Sequence, residues 1–130
     1  DVEREQQLLL EYERIVFQFP MYWYSCPPLL KKWFDDVLTY SWAFGPGGEN
    51  LQGKQFVVAT TTGGLGNEYR SGGRNWYTIS EYIRPIQSTL NRCNGTFLPV
   101  FVTHNASQGT DDYLSQEAIR YVEHIREQYN

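Results

Sequence analysis

The feature that most constrains this chain is a set of three short, nearly all-apolar runs separated by stretches with helical character. Ile15-Val16-Phe17-Gln18-Phe19 is β-branched and aromatic and closes on Pro20. Gln55-Phe56-Val57-Val58-Ala59-Thr60 is the second run, and Phe97-Leu98-Pro99-Val100-Phe101-Val102 is the third. Runs of this length and make-up read as strands. Because they lack a polar face, they predict a parallel sheet covered by helices on both sides. Pro99 lacks an N–H, which argues for an edge position or an early break in pairing for the third strand.

The intervening stretches supply the helices. Residues 1–14 are rich in Glu, Gln, Arg and Leu, with Leu8, Leu9 and Tyr12 as one apolar face. Pro27-Pro28 opens a second helix, in which Leu29, Leu30, Trp33, Phe34, Val37 and Leu38 carry the helical spacing. Gly45-Pro46-Gly47-Gly48 is a loop. Ile79, Tyr82, Ile83, Ile86 and Leu90 mark a third helix stopped by Gly95, and Pro85 should kink it or start its second half. Asp111 and Asp112 suit the first turn of the last helix, with Leu114, Ala118, Val122 and Ile125 expected as its inner face. At 130 residues the whole chain, 1–130, is expected to be one α/β domain.

Composition narrows the function classes. A net charge of -4 offers no basic footprint for nucleic acid. No apolar run is long enough for a membrane span, and the first residues are unlike a signal peptide, so a cytoplasmic protein is expected. Cys26 and Cys93 form no metal or redox motif, and no metal site is expected. Cys26 reads as a small helix-start residue. Aromatic residues make up 16% of the chain, which suits packing and also stacking on a planar ligand.

In parallel sheets ligands sit beyond the carboxyl ends of the strands. That directs attention to Pro20–Cys26, Thr61–Tyr69 and Thr103–Gly109, the three least core-like segments. In Met21-Tyr22-Trp23-Tyr24 consecutive large aromatics cannot all face one way. They either meet a planar partner or tuck under a neighbouring helix. Thr61-Thr62-Gly63-Gly64 offers hydroxyls and close-approach backbone N–H groups, although a tight turn alone also accounts for it. His104 ends the third strand, where an ordinary imidazole bonded to a loop is the favoured reading over a catalytic one. His124 looks solvent-exposed on the last helix.

Taken together, segments 21–24 and 61–64 resemble the flavin-ring contacts of the flavodoxin-like NAD(P)H:quinone oxidoreductases. Phe17-Gln18-Phe19-Pro20, the helix Leu29-Leu30-Lys31-Lys32-Trp33-Phe34-Asp35, Trp42-Ala43-Phe44-Gly45 and Ile83-Arg84-Pro85-Ile86-Gln87 are similar to the same family. The resemblance runs from about Asp1 to Gly95 and more loosely to the end, and the bacterial general-stress branch looks nearest. It implies a flavodoxin-like fold holding FMN through Pro20, Met21, Tyr22, Trp23, Tyr24, Thr61, Thr62, Gly63 and Gly64. It further implies Tyr69 as a catalytic group, Asn75 in the substrate pocket, and Trp42 and Phe44 reaching the pocket of a partner in a homodimer. NADPH or NADH would be the hydride donor and a quinone the acceptor, in ping-pong turnover.

Two departures from the family pattern stand out. The family's first strand, phosphate loop, first helix and second strand do not precede Asp1, a shortfall on the order of 50 residues, comparable to a βαβ unit plus turns. The chain is therefore expected to be part of a longer protein or to be completed by a partner, and no phosphate ligand is assigned. The histidine that mammalian members carry shortly after the tyrosine is also missing, which leaves Tyr69, Asn75 or water to handle the proton. Two other readings remain: an accessory subunit of a potassium efflux system, and a cofactor-free remnant.

Overall fold

A computed structural model describes residues 1–129. Four parallel strand segments build one sheet: β1 (Arg14–Pro20), β2 (Gln55–Thr61), β3 (Thr96–Phe97) and β4 (Phe101–Thr103). β2 is central, with β1 on one side and both β3 and β4 on the other. The last two are a single lane interrupted at Pro99. Leu98 still donates to Phe56 O at 2.8 Å, but proline has no N–H to continue the ladder. The expected third strand is thus an edge lane with a break in it.

Side-chain alternation decides which helices lie where. Phe17, Phe19, Phe56 and Val58 point to one face and are buried there by α1 (Val2–Glu11), α2 (Pro28–Val37), α3 (Ile79–Tyr82) and α4 (Arg84–Arg92). Leu9, Phe34, Val37, Ile83, Ile86 and Leu90 supply the helical half of this core. Phe17 is its aromatic hub, with ring contacts at 5.4 Å to Trp33 and 5.2 Å to Phe34. The expected third helix divides at Ile83, and Pro85 falls in the first turn of α4, where its missing N–H costs nothing.

α5 (Asp111–Arg126) covers the opposite face. Its inner surface differs from the expected one. Leu114 and Val122 are exposed, as is Ala118, whereas Tyr113, Glu117, Tyr121 and His124 are the half-buried positions, along with Ile125. Tyr121 lies against the Phe101 ring at 5.0 Å and donates to Gln18 Oε1 at 2.8 Å. Arg120 sits over Phe101 and holds Glu117. The apolar stripe Leu114–Ala118 instead lines a groove beside α5, over Ala59 and Thr61. His124, expected in solvent, is half-buried and bonded to Pro99 O at 2.7 Å. Its ring faces Phe101, because a partly polar helix face fits a strand lane whose backbone oxygens are left open by proline.

Candidate functional site

The site begins with strand register. Pro20 pairs with Thr61, and Thr61 with Thr103, so the last residues of three strands stand in one rung. All three following loops therefore leave the sheet at the same edge. The ladder continues one step into them: Met21 donates to Thr61 O and Thr62 to Thr103 O, both at 3.0 Å.

Residues 22–25 then form a tight two-residue turn. Tyr22 and Ser25 exchange backbone bonds of 2.7 and 2.9 Å around Trp23 (φ 45°) and Tyr24 (φ 64°). Two successive left-handed residues are the pattern that hairpin turns normally reserve for Asn-Gly. Bulky aromatics there are strained, by roughly 1–3 kcal/mol each, and must be held by their surroundings. Tyr24 is held twice: it stacks on Tyr82 at 4.8 Å and donates to Asn75 Oδ1 at 2.9 Å. Trp23 is left 92% exposed.

Opposite this turn lies segment 62–64. The third loop clamps it from behind, with Ala106 donating to Thr62 O at 2.9 Å and Asn105 to Gly64 O at 2.8 Å. Thr62 Oγ1 donates to Gly64 O at 3.0 Å and lies 2.8 Å from His104 Nδ1. The carbonyls of Thr62 and Gly64 are thus engaged, while among the described residues the N–H groups of Gly63 and Gly64 have no protein acceptor. A short 3₁₀ turn, Gly66–Glu68, follows and delivers Tyr69, and Glu68 caps it by accepting from Leu65 N at 2.7 Å.

The resulting cleft has a volume of about 470 Å³ and is lined by Met21, Trp23, Tyr24, Thr62, Gly63, Gly64, Glu68, Tyr69, Arg74 and Asn75. Its size falls in the usual range for small-molecule and cofactor sites, roughly 300–1,000 Å³. Eight of these ten are residues expected from the sequence. Glu68 and Arg74 are not; neither belongs to a motif, and only the 3₁₀ turn and the loop at 70–75 bring them in. Thr103–Gly109 supports the site without lining it.

Pro20, Tyr22 and Thr61 flank the cleft without lining it. Pro20 belongs to a groove along β1, Tyr22 closes the turn with 54% of its surface exposed, and Thr61 faces α5. Trp42 and Phe44 stand elsewhere. Both are half-buried against the main core, and Phe44 lies beneath Arg92 in a separate groove with Cys93. Neither lines the cleft of its own chain, and the exposed aromatic of that segment is Tyr40.

Electrostatics at the site are set by burial. Burial pushes the Tyr69 phenol above its ordinary value and Tyr24 adds to this, while the nearby Thr62 hydroxyl opposes it. Burial and then Arg120 push His104 down, against the pull of Glu117. The Tyr69 phenol in the cleft is therefore held in its neutral form at pH 7, and the same burial favours the neutral imidazole of His104 behind it. Among the described residues no group of His, Cys, Asp or Glu is placed to hold a metal, and no helix is long and apolar enough to cross a membrane.

A parallel sheet with a donor-lined, aromatic-walled cleft at the carboxyl edge defines a flavodoxin-like α/β protein. The chain belongs to the Flavodoxin_2 family, described as having a flavodoxin-like fold, whose model matches residues 1–125. It is 50% identical over 125 residues to the uncharacterized NAD(P)H oxidoreductase YdeQ of Bacillus subtilis, covering 96% of this chain and 64% of that protein. It is 40% identical over 126 residues to the glutathione-regulated potassium-efflux system ancillary protein KefG of Serratia proteamaculans, covering 97% of this chain and 69% of that one. Among solved structures, general stress protein 14 of Treponema denticola in complex with FMN superposes with a TM-score of 0.92 at 37% identity, over 96% of this chain and 71% of that one. A structure described as a thermophilic tryptophan halogenase from Streptomycin violaceusniger superposes with a TM-score of 0.97 at 49% identity, over 99% and 75%. The chain thus spans about two thirds to three quarters of these proteins.

Proposed function

We propose that the protein is an FMN-dependent NAD(P)H oxidoreductase that reduces quinones or similar acceptors by two electrons. The observation that carries this reading is the convergence of the 21–24 turn and the 62–64 segment on one cleft, lined by Gly63 and Gly64, whose N–H groups have no protein acceptor among the described residues. Those N–H groups fit the pyrimidine edge of an isoalloxazine, where donors favour the reduced, anionic form. The strained Trp23–Tyr24 turn fits the other edge. The relative solved with FMN and the relatives named as oxidoreductases support the same reading.

Bound FMN would supply the hydride acceptor and donor. This chain's residues do the rest: Met21, Trp23 and Tyr24 wall the ring, and Gly63 and Gly64 hold its polar edge. Tyr69 and Asn75 stand where a substrate would lie. One open face must serve nicotinamide and acceptor in turn, so turnover is ping-pong. Exposed Trp23 and Trp76 beside the cleft support a homodimer that covers this face.

Heat release and mass identification of the cofactor from the intact protein should give FMN. Double-reciprocal plots should be parallel, and NADPH alone should bleach the flavin. A colourless protein that takes up no flavin would leave the cofactor-free reading. The likeness to KefG supports a second role as an ancillary subunit of a potassium efflux system, which co-purification with the transporter would display.

A further inference from the structure

We infer that Arg74 makes the cleft selective for acceptors that carry an anionic group, a carboxylate above all, on the ring that is reduced. This rests on the oxidoreductase reading above and names a substrate class for it.

Of the ten residues that line the cleft, two carry charge, Glu68 and Arg74. They are not paired with each other. Glu68 Oε1 accepts from Leu65 N at 2.7 Å, and the ion pairs among the described residues are Lys31–Asp35, Lys32–Asp36 and Glu117–Arg120. The Arg74 guanidinium is therefore a cation of the cleft lining with no ion-pair partner among the described residues, and it brings five N–H donors.

An exposed arginine on a loop ordinarily samples many positions, and ordering it on a ligand costs entropy. Here the backbone is pinned on both sides of Arg74. Gly73 lies so close to the Gly66–Glu68 turn that a Cβ would stand 2.7 Å from Glu68 O and 3.0 Å from Asn67 O. Both are backbone atoms, so only glycine allows this approach. On the other side Asn75 N donates to the same Glu68 O at 2.9 Å, and Asn75 O accepts from the Tyr82 hydroxyl at 2.5 Å. Asn75 Oδ1 in turn holds the Tyr24 O–H. Gly72 (φ 79°) and Trp76 (φ 65°) make the bends on either side of the pinned residues. The turn that delivers Tyr69 thus also fixes the Arg74 backbone, and the two residues enter the cleft from one rigid piece.

The chemistry of the guanidinium then selects the ligand. Its planar fork meets a carboxylate through two parallel N–H···O bonds, which orient the ligand as well as attract it. A nicotinamide ring bears no negative charge, and the phosphates of the dinucleotide lie away from its reacting ring. A carboxylate on the acceptor ring lies beside the reacting atoms, inside the cleft that Arg74 lines. Glu68 in the same lining opposes any long-range pull on anions, so selectivity comes from contact at Arg74 and not from the net charge of the cleft. Charge-assisted bonds of this kind change affinity by about tenfold or more, and solvent exposure puts Arg74 at the low end.

The test uses the intact, FMN-loaded protein with NADPH and two acceptors, a neutral naphthoquinone and its ring-carboxylated analogue. The carboxylate-to-neutral ratio of kcat/KM, compared between proteins, cancels the intrinsic reactivity of each quinone. Arg74→Gln should lower that ratio about tenfold, and Arg74→Lys should lower it less, since it keeps the charge and loses the fork. Arg70→Gln removes an equal charge from an exposed residue of the same loop outside the cleft lining, and should leave the ratio at its wild-type value. Calorimetry on the oxidised protein, without turnover, should show naphthoate binding more tightly than naphthamide, and Arg74→Gln should abolish the difference. An unmoved ratio in Arg74→Gln overturns the inference, as does an equal fall in Arg70→Gln. A raised KM for NADPH but not for NADH, with the acceptor ratio unchanged, overturns it in favour of a contact with the donor's phosphate. Failure to bind FMN or to bleach with NADPH overturns the oxidoreductase reading along with it. That pattern is distinct from normal bleaching with an unmoved acceptor ratio.

Discussion

Replacing Gly64 by valine isolates the claim that FMN approaches the backbone of segment 62–64. The backbone at Gly64 is outside the left-handed region, so a side chain there brings no torsional strain. The constraint is space. A Cβ would lie 3.3 Å from Glu68 Oε1 and 3.6 Å from Asn75 Nδ2, and the two further methyls of valine must go into the cleft or against those side chains. Glu68 cannot yield freely, because the same oxygen holds Leu65 N at 2.7 Å. Overpacking of this kind costs about 1–3 kcal/mol. Charged against FMN binding, that is a loss of about five- to 150-fold in Kd at 1.4 kcal/mol per tenfold. Gly64→Ala should cost little, since one carbon needs only a few tenths of an ångström of adjustment. Titration of the apoprotein by flavin fluorescence measures both, and thermal melts of the apoproteins serve as the control. The reasoning fails if valine binds FMN as tightly as alanine does. It fails equally if the apoprotein melts so much lower that the lost affinity reflects general unfolding.

Three further outcomes are expected. Tyr69→Phe should slow acceptor reduction about tenfold to a hundredfold, read by stopped-flow reoxidation of the flavin, because the cleft loses the Tyr69 phenol as a hydrogen-bonding and proton-handling group. Light scattering at micromolar concentration should report a dimer, and a fully active monomer would rule out a shared site. The hydrogen bond from Arg120 holds the Glu117 carboxyl below its ordinary value of 4.5. Its stabilising effect is therefore present above about pH 4.5 and is lost as pH falls through the lower folded value. Melting temperatures of wild type should drop more steeply between pH 5 and 3 than those of Glu117→Gln, and superimposable profiles would remove the pair from the acid response.

Much of this architecture was legible in the chain, and the failures have physical causes. β1 and β2 were readable to within a residue at most ends because both are apolar on both faces and end in turn chemistry. Pro85 and Pro99 announced the two interruptions, since a missing N–H acts locally whatever the surroundings. The inner face of α5 was misplaced by one position. Apolar periodicity assigns Leu114, Ala118 and Val122 inward, but the lane beneath offers Gln18 Oε1, the Pro99 carbonyl and the Phe101 ring, which select Tyr121, His124 and Arg120. Trp42 and Phe44 pack on the core of their own chain, and a loop composition of Ser, Gly and Pro gives no sign that it folds back over α4. Arg92 above Phe44 is a contact between positions 48 apart in the chain, and no local pattern encodes it.

The site itself shows why some of its residues could be named and others could not. Its location follows from register, and register follows from the apolar runs: once Phe17, Val58 and their neighbours fill one core, Pro20, Thr61 and Thr103 must share a rung. The strained turn is different. Nothing about Trp23 and Tyr24 favours left-handed backbone, and that turn exists because Tyr24 is fastened to Tyr82 and Asn75 some 50 to 60 positions away. The same holds for the link between Thr62 and His104, 42 positions apart. An aromatic triplet and a Thr-Thr-Gly-Gly motif therefore mark where the cleft lies. Its working geometry depends on tertiary contacts from Asn75, Tyr82 and His104, and substitutions at those three positions should disturb the cleft while leaving the sheet intact.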